Sequence, residues 1–502
     1  MSRAGRPALA LAALLVLGGN RAPQVAIDAG RIEGEAIAGG AAFLGIPFAE
    51  APVGTRRWRD AVPVTPWSGV RVARDFGPAC PQPRRREALS QSEDCLNLNV
   101  LTPDAKARDL PVLVVIHGGA YAFGSNRDIA GQGMTHLLRK GVVLVTPNYR
   151  IGRLGFFAHP ALSAEAGRGT GNFWLGDQIL ALDWVRRNIA RFGGDPAKVT
   201  ILGCSAGGSS VNALMASPAA RGLFRAASVH SGGGLFNANR SLSRAEGEGL
   251  AFAARAGVVE GGSGALSSLR SLTPAQVLAA DPGPPDFGAI VDGHLLAAPL
   301  AVTFARGEQA PVPYIAGSTS DEASVFGLMG FDAATMRARF GIELDAWRPV
   351  YERRYGPLDD AILLRRVQTD FLFTSAALAL GGFAARRAAA WTYHFAFVPP
   401  AERGRVPGAP HCADIDYLFG PLPHDDAESR RIARQVQDYW FHFIRSGNPQ
   451  AAGLPAWPAM ARGRPATLSV DRETAAVANF GEEAMRGWFA RWQAAANIGP
   501  RP

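Results

Sequence analysis

K-V-T-I-L-G-C-S-A-G-G-S-S-V-N-A-L-M-A, residues 198–216, is the stretch whose reading decides the fold. Lys198 to Leu202 form a short, β-branched, apolar run suited to a buried strand. From Ser209 to Ala216 the apolar residues recur at helical spacing. Between them Gly203, Gly207 and Gly208 supply residues without a Cβ, as a chain turning sharply from strand into helix requires. Such a turn strains its central residue and lifts it to the carboxyl edge of a sheet. Ser205 is that residue and a candidate nucleophile.

A serine hydroxyl is a weak nucleophile at neutral pH, so it needs a base, an acid to orient that base, and donors for a developing oxyanion. Upstream, P-V-L-V-V-I (Pro111 to Ile116) reads as a second buried strand, and it ends in H-G-G-A (His117 to Ala120). Small consecutive residues leave backbone N–H groups free to face a ligand. Gly119 and Ala120 are two expected donors, with Ala206 at the helix start the third. His117 reads as a structural residue of the loop rather than the base.

These motifs and others in the same order resemble the type-B carboxylesterase family, the cholinesterase-like branch of the α/β-hydrolases. The matching stretches are F-L-G-I-P-F-A-E-A-P-V-G (Phe43 to Gly54), S-E-D-C-L-N-L-N (Ser92 to Asn99), N-Y-R-I-G-R-L-G-F (Asn148 to Phe156), F-G-G-D-P-A-K-V-T (Phe192 to Thr200) and S-G-N-P (Ser446 to Pro449). The resemblance implies an α/β-hydrolase fold: a central, mostly parallel sheet with helices on both faces and helical lid insertions near 237–310 and 327–390, all within one catalytic domain spanning 23–502. It also implies the chain order serine, acid, histidine. The family's acid falls in S-T-S-D-E-A-S-V-F, where Glu322 matches and Asp321 is the neighbouring alternative. Its histidine falls in G-A-P-H-C-A-D, which makes His411 the base. His230, His394 and His442 lie in strand-like or helical runs and read as packed residues.

The chain departs from the family at informative positions. Cys204 stands where the family places a glutamate before the nucleophile, which removes an anion from beside the substrate. Trp174 replaces a customary glycine, with either a narrowed pocket or simple packing as the consequence. Cys80 and Cys95 match the family's first disulfide, and the loop they close carries Arg84, Arg85 and Arg86, which disfavours a quaternary ammonium substrate if they face the site. The remaining cysteines, Cys204 and Cys412, each adjoin an expected catalytic residue. If Ser205 and His411 come within hydrogen-bond reach, their neighbours fall within bridging range. A cysteine-serine paired with a histidine-cysteine also resembles tannase and feruloyl esterase-like hydrolases, over these four residues only.

The first residues, M-S-R-A-G-R followed by P-A-L-A-L-A-A-L-L-V-L, read as a signal peptide over 1–22, implying a periplasmic or secreted protein in which disulfides persist. No later run is long and apolar enough for stable membrane insertion. The net charge of +9 comes from scattered arginines, with lysine only at 106, 140 and 198, and no aromatic-basic stripe or phosphate loop accompanies it, so no nucleic-acid partner is expected. The chemistry calls for no cofactor and no metal; the partner is a small-molecule ester, and oligomeric state is left open. The implied function is ester hydrolysis, with amide or carbamate hydrolysis on the same groups as an alternative. A non-catalytic binding protein of the same fold is the other class, and the presence of Ser205, Glu322 and His411 weighs against it. The cysteine arrangement tilts the substrate toward bulky aromatic esters, while sparse aromatic content between Ser231 and Pro282 argues against a tight aromatic acyl pocket there.

Overall fold

A computed structural model describes residues 22–83, 89–130, 135–236, 240–259, 262–281, 286–329, 331–461 and 466–496. The expected leader, apart from Ala22, and Arg84, Arg85 and Arg86 lie outside the described residues. Among the described residues the centre of the fold is an eleven-stranded sheet. From one edge its strands are Ala475–Ala478, Ala466–Val470, Ala390–Phe395, Tyr314–Thr319, Ala226–His230, Gly194–Cys204, Leu110–Ile116, Val143–Pro147, Asn97–Thr102, Gly40–Pro47 and Glu35–Ile37. The strands from Ala466–Val470 to Val143–Pro147 run parallel, and the flanking ones antiparallel.

Parallel strands need helical crossovers, which cover both faces of the sheet and make central strands continuously apolar. The Leu110–Ile116 strand shows how its residues divide. Val112, Val114 and Ile116 point into one core, shared with Trp174, Leu182 and Val185 of the Phe173–Asn188 helix. Leu113 and Val115 point into the other, shared with Val436, Trp440 and Phe443 of the Ala427–Ser446 helix. The period of two in the strand assigns each side chain its layer.

The two regions expected to insert are helical, with Leu242–Arg255, Gly262–Ser271 and Pro274–Ala279 in the first and Ala333–Phe340, Leu344–Tyr355 and Asp360–Thr369 in the second. Their closing helices behave differently: Leu300–Arg306 and Ser375–Ala384 pack on the sheet through Leu300, Phe304 and Leu380, as part of the main core. No helix among the described residues is long and apolar enough to cross a membrane.

Candidate active site

The Gly194–Cys204 strand runs into Ser205 and the Ala206–Ala216 helix. Ser205 has φ 59° and ψ −127°, outside the conformations an L-residue ordinarily adopts. Close approach maintains this strain: a Cβ on Gly207 would lie 2.2 Å from the Ile116 carbonyl oxygen, and one on Gly203 would lie 2.4 Å from the Gly207 backbone. The Ser205 N–H donates to the His230 carbonyl at 3.0 Å, which ties the turn to the neighbouring strand.

The glycine loop after Ile116 lies directly against this turn. A Cβ on Gly118 would meet Ser205 Cβ at 3.3 Å and the Cys204 carbonyl oxygen at 2.7 Å. Gly119, Ala120 and Tyr121 all have positive φ (108°, 52° and 58°), so the loop curls tightly, closed by Ala122 and Phe123 N–H groups donating to the Gly119 carbonyl. Among the described residues, the N–H groups of Gly119, Ala120 and Ala206 donate to no backbone carbonyl. His117 is buried and stacks on Tyr149, with ring centroids 4.4 Å apart, and Tyr149 OH donates to the His117 carbonyl at 2.9 Å. It is a structural histidine. Trp174 is also buried, against Tyr121 and Phe156, with centroids 5.0 Å away in each case, so it packs behind the loop.

Glu322 and Asp321 separate in space. His411 Nδ1 donates to Glu322 Oε2, while Glu322 Oε1 accepts the Thr319 N–H at 2.7 Å, and the carboxylate is fully buried. Asp321 instead forms an ion pair with Arg365, whose Nε donates to Asp321 Oδ1 at 3.1 Å. Burial pushes the Asp321 carboxyl above its ordinary range, with Arg365 pulling the other way. A one-residue step in an irregular turn reverses the side-chain direction, which composition alone could not resolve.

Serines that drew no notice in the sequence hold the histidine loop. Ser324 Oγ accepts the His411 N–H at 2.8 Å, Ser320 Oγ accepts the Ala409 N–H at 2.8 Å, and the Asp321 N–H donates to the Ala409 carbonyl at 2.9 Å. His411 Nε2, although buried, has no hydrogen-bond partner among the described residues, so the Ser205–His411 bond is not formed in this side-chain arrangement. Unbound active sites often show this bond loose or misaligned.

Covalent links close the site from both sides. Cys80 and Cys95 are bonded, with Cα atoms 5.0 Å apart, and so are Cys204 and Cys412, with Cα atoms 6.1 Å apart across 208 residues of chain. Cys412 has φ 62°, so the bond joins two chain segments that each hold a left-handed residue. From the first disulfide loop Gln82 clamps the glycine loop, accepting the Gly124 N–H at 2.9 Å and donating to its carbonyl at 3.0 Å. Nothing in the local sequence marks Gln82; its role comes from the loop closure that places it.

A second acid–histidine pair lies beneath the first. His230 Nδ1 donates to Asp414 Oδ2 at 2.6 Å, Tyr393 OH donates to the same oxygen at 2.5 Å, and Ser228 Oγ, itself accepting from Trp440, donates to His230 Nε2 at 3.1 Å. Burial opposes ionisation of Asp414, but His230 and Tyr393 outweigh it and hold the carboxyl below its ordinary range. Sequence spacing read His230 as packed, and it is; its partner Asp414 was not anticipated, since the two are 184 residues apart.

A strained serine beside a ring of unspent backbone N–H groups, with a carboxylate-oriented imidazole across a disulfide, can perform acyl transfer. Comparison with known proteins agrees. The model of the carboxylesterase family matches residues 21–354 and 359–488. The fumonisin B1 esterase of Sphingopyxis macrogoltabida is 35% identical, covering 84% of this chain and 81% of its own. The para-nitrobenzyl esterase of Bacillus subtilis is 32% identical, over 88% and 94% respectively. Among solved structures, a carboxylesterase of Geobacillus stearothermophilus aligns with a TM-score of 0.77 and 31% identity, over 94% of this chain and all of its own. With the fold, the strained serine and these relatives in agreement, the chain belongs to the type-B carboxylesterase family and is a carboxylic ester hydrolase.

Proposed function

We propose that this protein is an exported serine carboxylesterase in which Ser205, His411 and Glu322 act as the catalytic triad. The observation that carries this reading is the buried Glu322 carboxylate on His411 Nδ1, which aims an unoccupied Nε2 away from the acid while a disulfide binds the histidine loop to the serine's own turn. In the reaction Nε2 accepts the Ser205 proton. The serine oxygen then attacks the ester carbonyl, and the N–H groups of Gly119, Ala120 and Ala206 stabilise the tetrahedral oxyanion. His411 returns the proton to the departing alcohol, leaving an acyl-enzyme. A water activated by the same imidazole releases the acid and restores the serine.

The loss of an anion beside the nucleophile, with Cys204 in its place, favours uncharged or anionic esters over cationic ones. Relatives named for fumonisin B1, para-nitrobenzyl esters, pyrethroids and cocaine support bulky esters, including feruloyl-like aromatic ones, as the substrate class. The helices Leu242–Arg255, Gly262–Ser271 and Pro274–Ala279 of the first insertion and Ala333–Phe340, Leu344–Tyr355 and Asp360–Thr369 of the second act as the lid. The apolar leader directs export, and the two disulfides are in keeping with an oxidising compartment.

The test is pre-steady-state hydrolysis of a short-chain p-nitrophenyl ester by the purified enzyme. A burst of p-nitrophenol in stoichiometric proportion to enzyme, absent in Ser205→Ala, is expected. Full turnover by the Ser205→Ala variant would remove the triad assignment. Hydrolysis of p-nitrophenyl, feruloyl and long-chain esters by the same preparation then ranks the substrate class.

A further inference from the structure

The segment from Asp360 to Ala384 is helical throughout but changes register in its middle. Asp360–Thr369 and Ser375–Ala384 are α-helical, and Asp370–Thr374 between them is a π-turn, with the Ser375 N–H donating to the Asp370 carbonyl five residues back. The buried positions record the inserted residue. Leu363, Val367 and Phe371 succeed one another at intervals of four and pack with Trp488, whereas Ala376, Leu380 and Ala384, also four apart, pack against the sheet. The step between the two series, from Phe371 to Ala376, is five. Each half-helix thus keeps its own apolar stripe, and the extra residue redirects the side chains in between. π-turns of this kind are frequent at functional sites.

What the turn redirects is Phe373. Its ring is only partly buried and lies 5.0 Å, centroid to centroid, from the His411 imidazole at a 57° tilt. Behind it is Phe326, fully buried, with its centroid 6.0 Å away; Phe326 opens the short helix that directly follows the Glu322 turn. An aromatic surface thus adjoins the residue that, in the reaction, hands its proton to the leaving alcohol. The surface next to that imidazole borders the alcohol half of the ester and not the acyl half, which lies on the serine and oxyanion side.

We propose that Phe373 is a specificity-determining residue for the alcohol half of the substrate, favouring flat aryl or arylmethyl alcohols over small alkyl ones. The inference rests on the triad assignment above. An aromatic ring against the partly exposed face of Phe373 gains contact area and ring–ring geometry that an ethyl group cannot.

The test uses three esters: ethyl acetate as reference, benzyl acetate with an aromatic alcohol, and ethyl phenylacetate with an aromatic acyl group. In Phe373→Ala, kcat/KM for benzyl acetate relative to ethyl acetate should fall about tenfold, in the range that one well-placed apolar contact controls, while the ratio of ethyl phenylacetate to ethyl acetate stays within about twofold. Phe373→Tyr should keep the benzyl preference and Phe373→Leu should lose most of it. That pair delivers the same comparison if the alanine variant does not fold. An equal loss on all three esters would show a structural role and overturn the proposal, as would a loss confined to the phenylacetate. Failure of the triad is separately visible, because Ser205→Ala would then still hydrolyse all three.

Discussion

Two carboxylate–histidine pairs sit within the same sheet edge, and they differ in what is left over. In the His230–Asp414 pair both ring nitrogens are used, Nδ1 donating to Asp414 and Nε2 accepting from Ser228, in surroundings closed to solvent. In the His411–Glu322 pair only Nδ1 is used, and Nε2 is unspent. The first arrangement can only hold; the second can take a proton. Acid–histidine pairing therefore does not by itself mark a catalytic residue. What sets His411 apart is an unsatisfied nitrogen on a loop that a disulfide ties to the strained serine's turn.

The pairs are nevertheless joined. Asp414 follows His411 by three residues, and the His230 carbonyl accepts the Ser205 N–H at 3.0 Å. The buried pair thus ties the strand beside the serine's turn to the chain that follows His411, parallel to the disulfide between Cys204 and Cys412. One link is ionic and sealed; the other is covalent and next to the chemistry.

The comparison is tested most severely by removing each acid's function in turn. Glu322→Gln should lower kcat by roughly a thousandfold to ten-thousandfold, the order seen when a triad acid can no longer fix the tautomer, with stability nearly unchanged. A variant with more than a tenth of the native kcat would show that Glu322 is not the orienting acid. Asp414→Ala should do the reverse. It removes the acceptor that His230 and Tyr393 share and leaves them only each other, Tyr393 OH lying 2.7 Å from His230 Nδ1, at a cost of about 1–3 kcal/mol in stability, measured by urea unfolding, while kcat of the folded fraction stays within about tenfold. If Asp414→Ala were stable but inactive, the sealed pair would have a chemical role.

The covalent link comes next. In the chain-entropy picture, closing a loop of 208 residues restricts the unfolded chain by about 5 kcal/mol, with measured gains often smaller. Reduction of Cys204–Cys412 by dithiothreitol, verified by alkylation and mass mapping, should lower activity about tenfold as the serine and histidine lose enforced alignment. Unchanged activity after verified reduction would assign the bond to stability alone.

A third histidine sharpens the contrast, because among the described residues it pairs with no carboxylate. His394 meets Ser318 Oγ at 3.2 Å, and burial, with Arg354 and Arg366 adding to it, lowers its pKa to about 3. A base depressed in the fold binds its proton more readily when unfolded, so its contribution is intact above about pH 6.5 and is lost as pH falls toward 3. Stability should therefore drop between pH 6.5 and 4.5, and His394→Gln should flatten that drop by on the order of 1 kcal/mol. An unaltered pH profile would show that His394 charges without penalty. The smallest expected effect is at Asp321, where Asp321→Asn should change kcat by less than about threefold, since its carboxylate belongs to Arg365.

Much of this could be read from the chain itself. K-V-T-I-L running into G-C-S-A-G-G places a strand, a turn and a helix, because β-branched packing, absent Cβ atoms and helical spacing act over neighbouring residues. The glycine loop was legible for the same reason. The Cys204–Cys412 bond was legible because each cysteine adjoins a residue whose position the chemistry constrains, and the Cys80–Cys95 bond was implied by the family resemblance. Asp414, Gln82, Ser320 and Ser324 were not, since each finds its partner across a distance in sequence that no local pattern spans. The π-turn is an intermediate case: its 4-4-5-4-4 spacing of apolar residues is written in the chain, but the meaning of the step appears only once two different cores are seen on either side of it.

By itself, then, the sequence determined the strands that lead into the site and the strained serine, which follow from backbone sterics, while its resemblance to a family supplied the acid and the histidine. Tertiary structure alone decided which of two adjacent carboxylates meets the histidine, which histidine keeps a nitrogen free, and which phenylalanine borders it. Those choices depend on side-chain direction and on partners hundreds of residues away, and the packed chain fixes both at once.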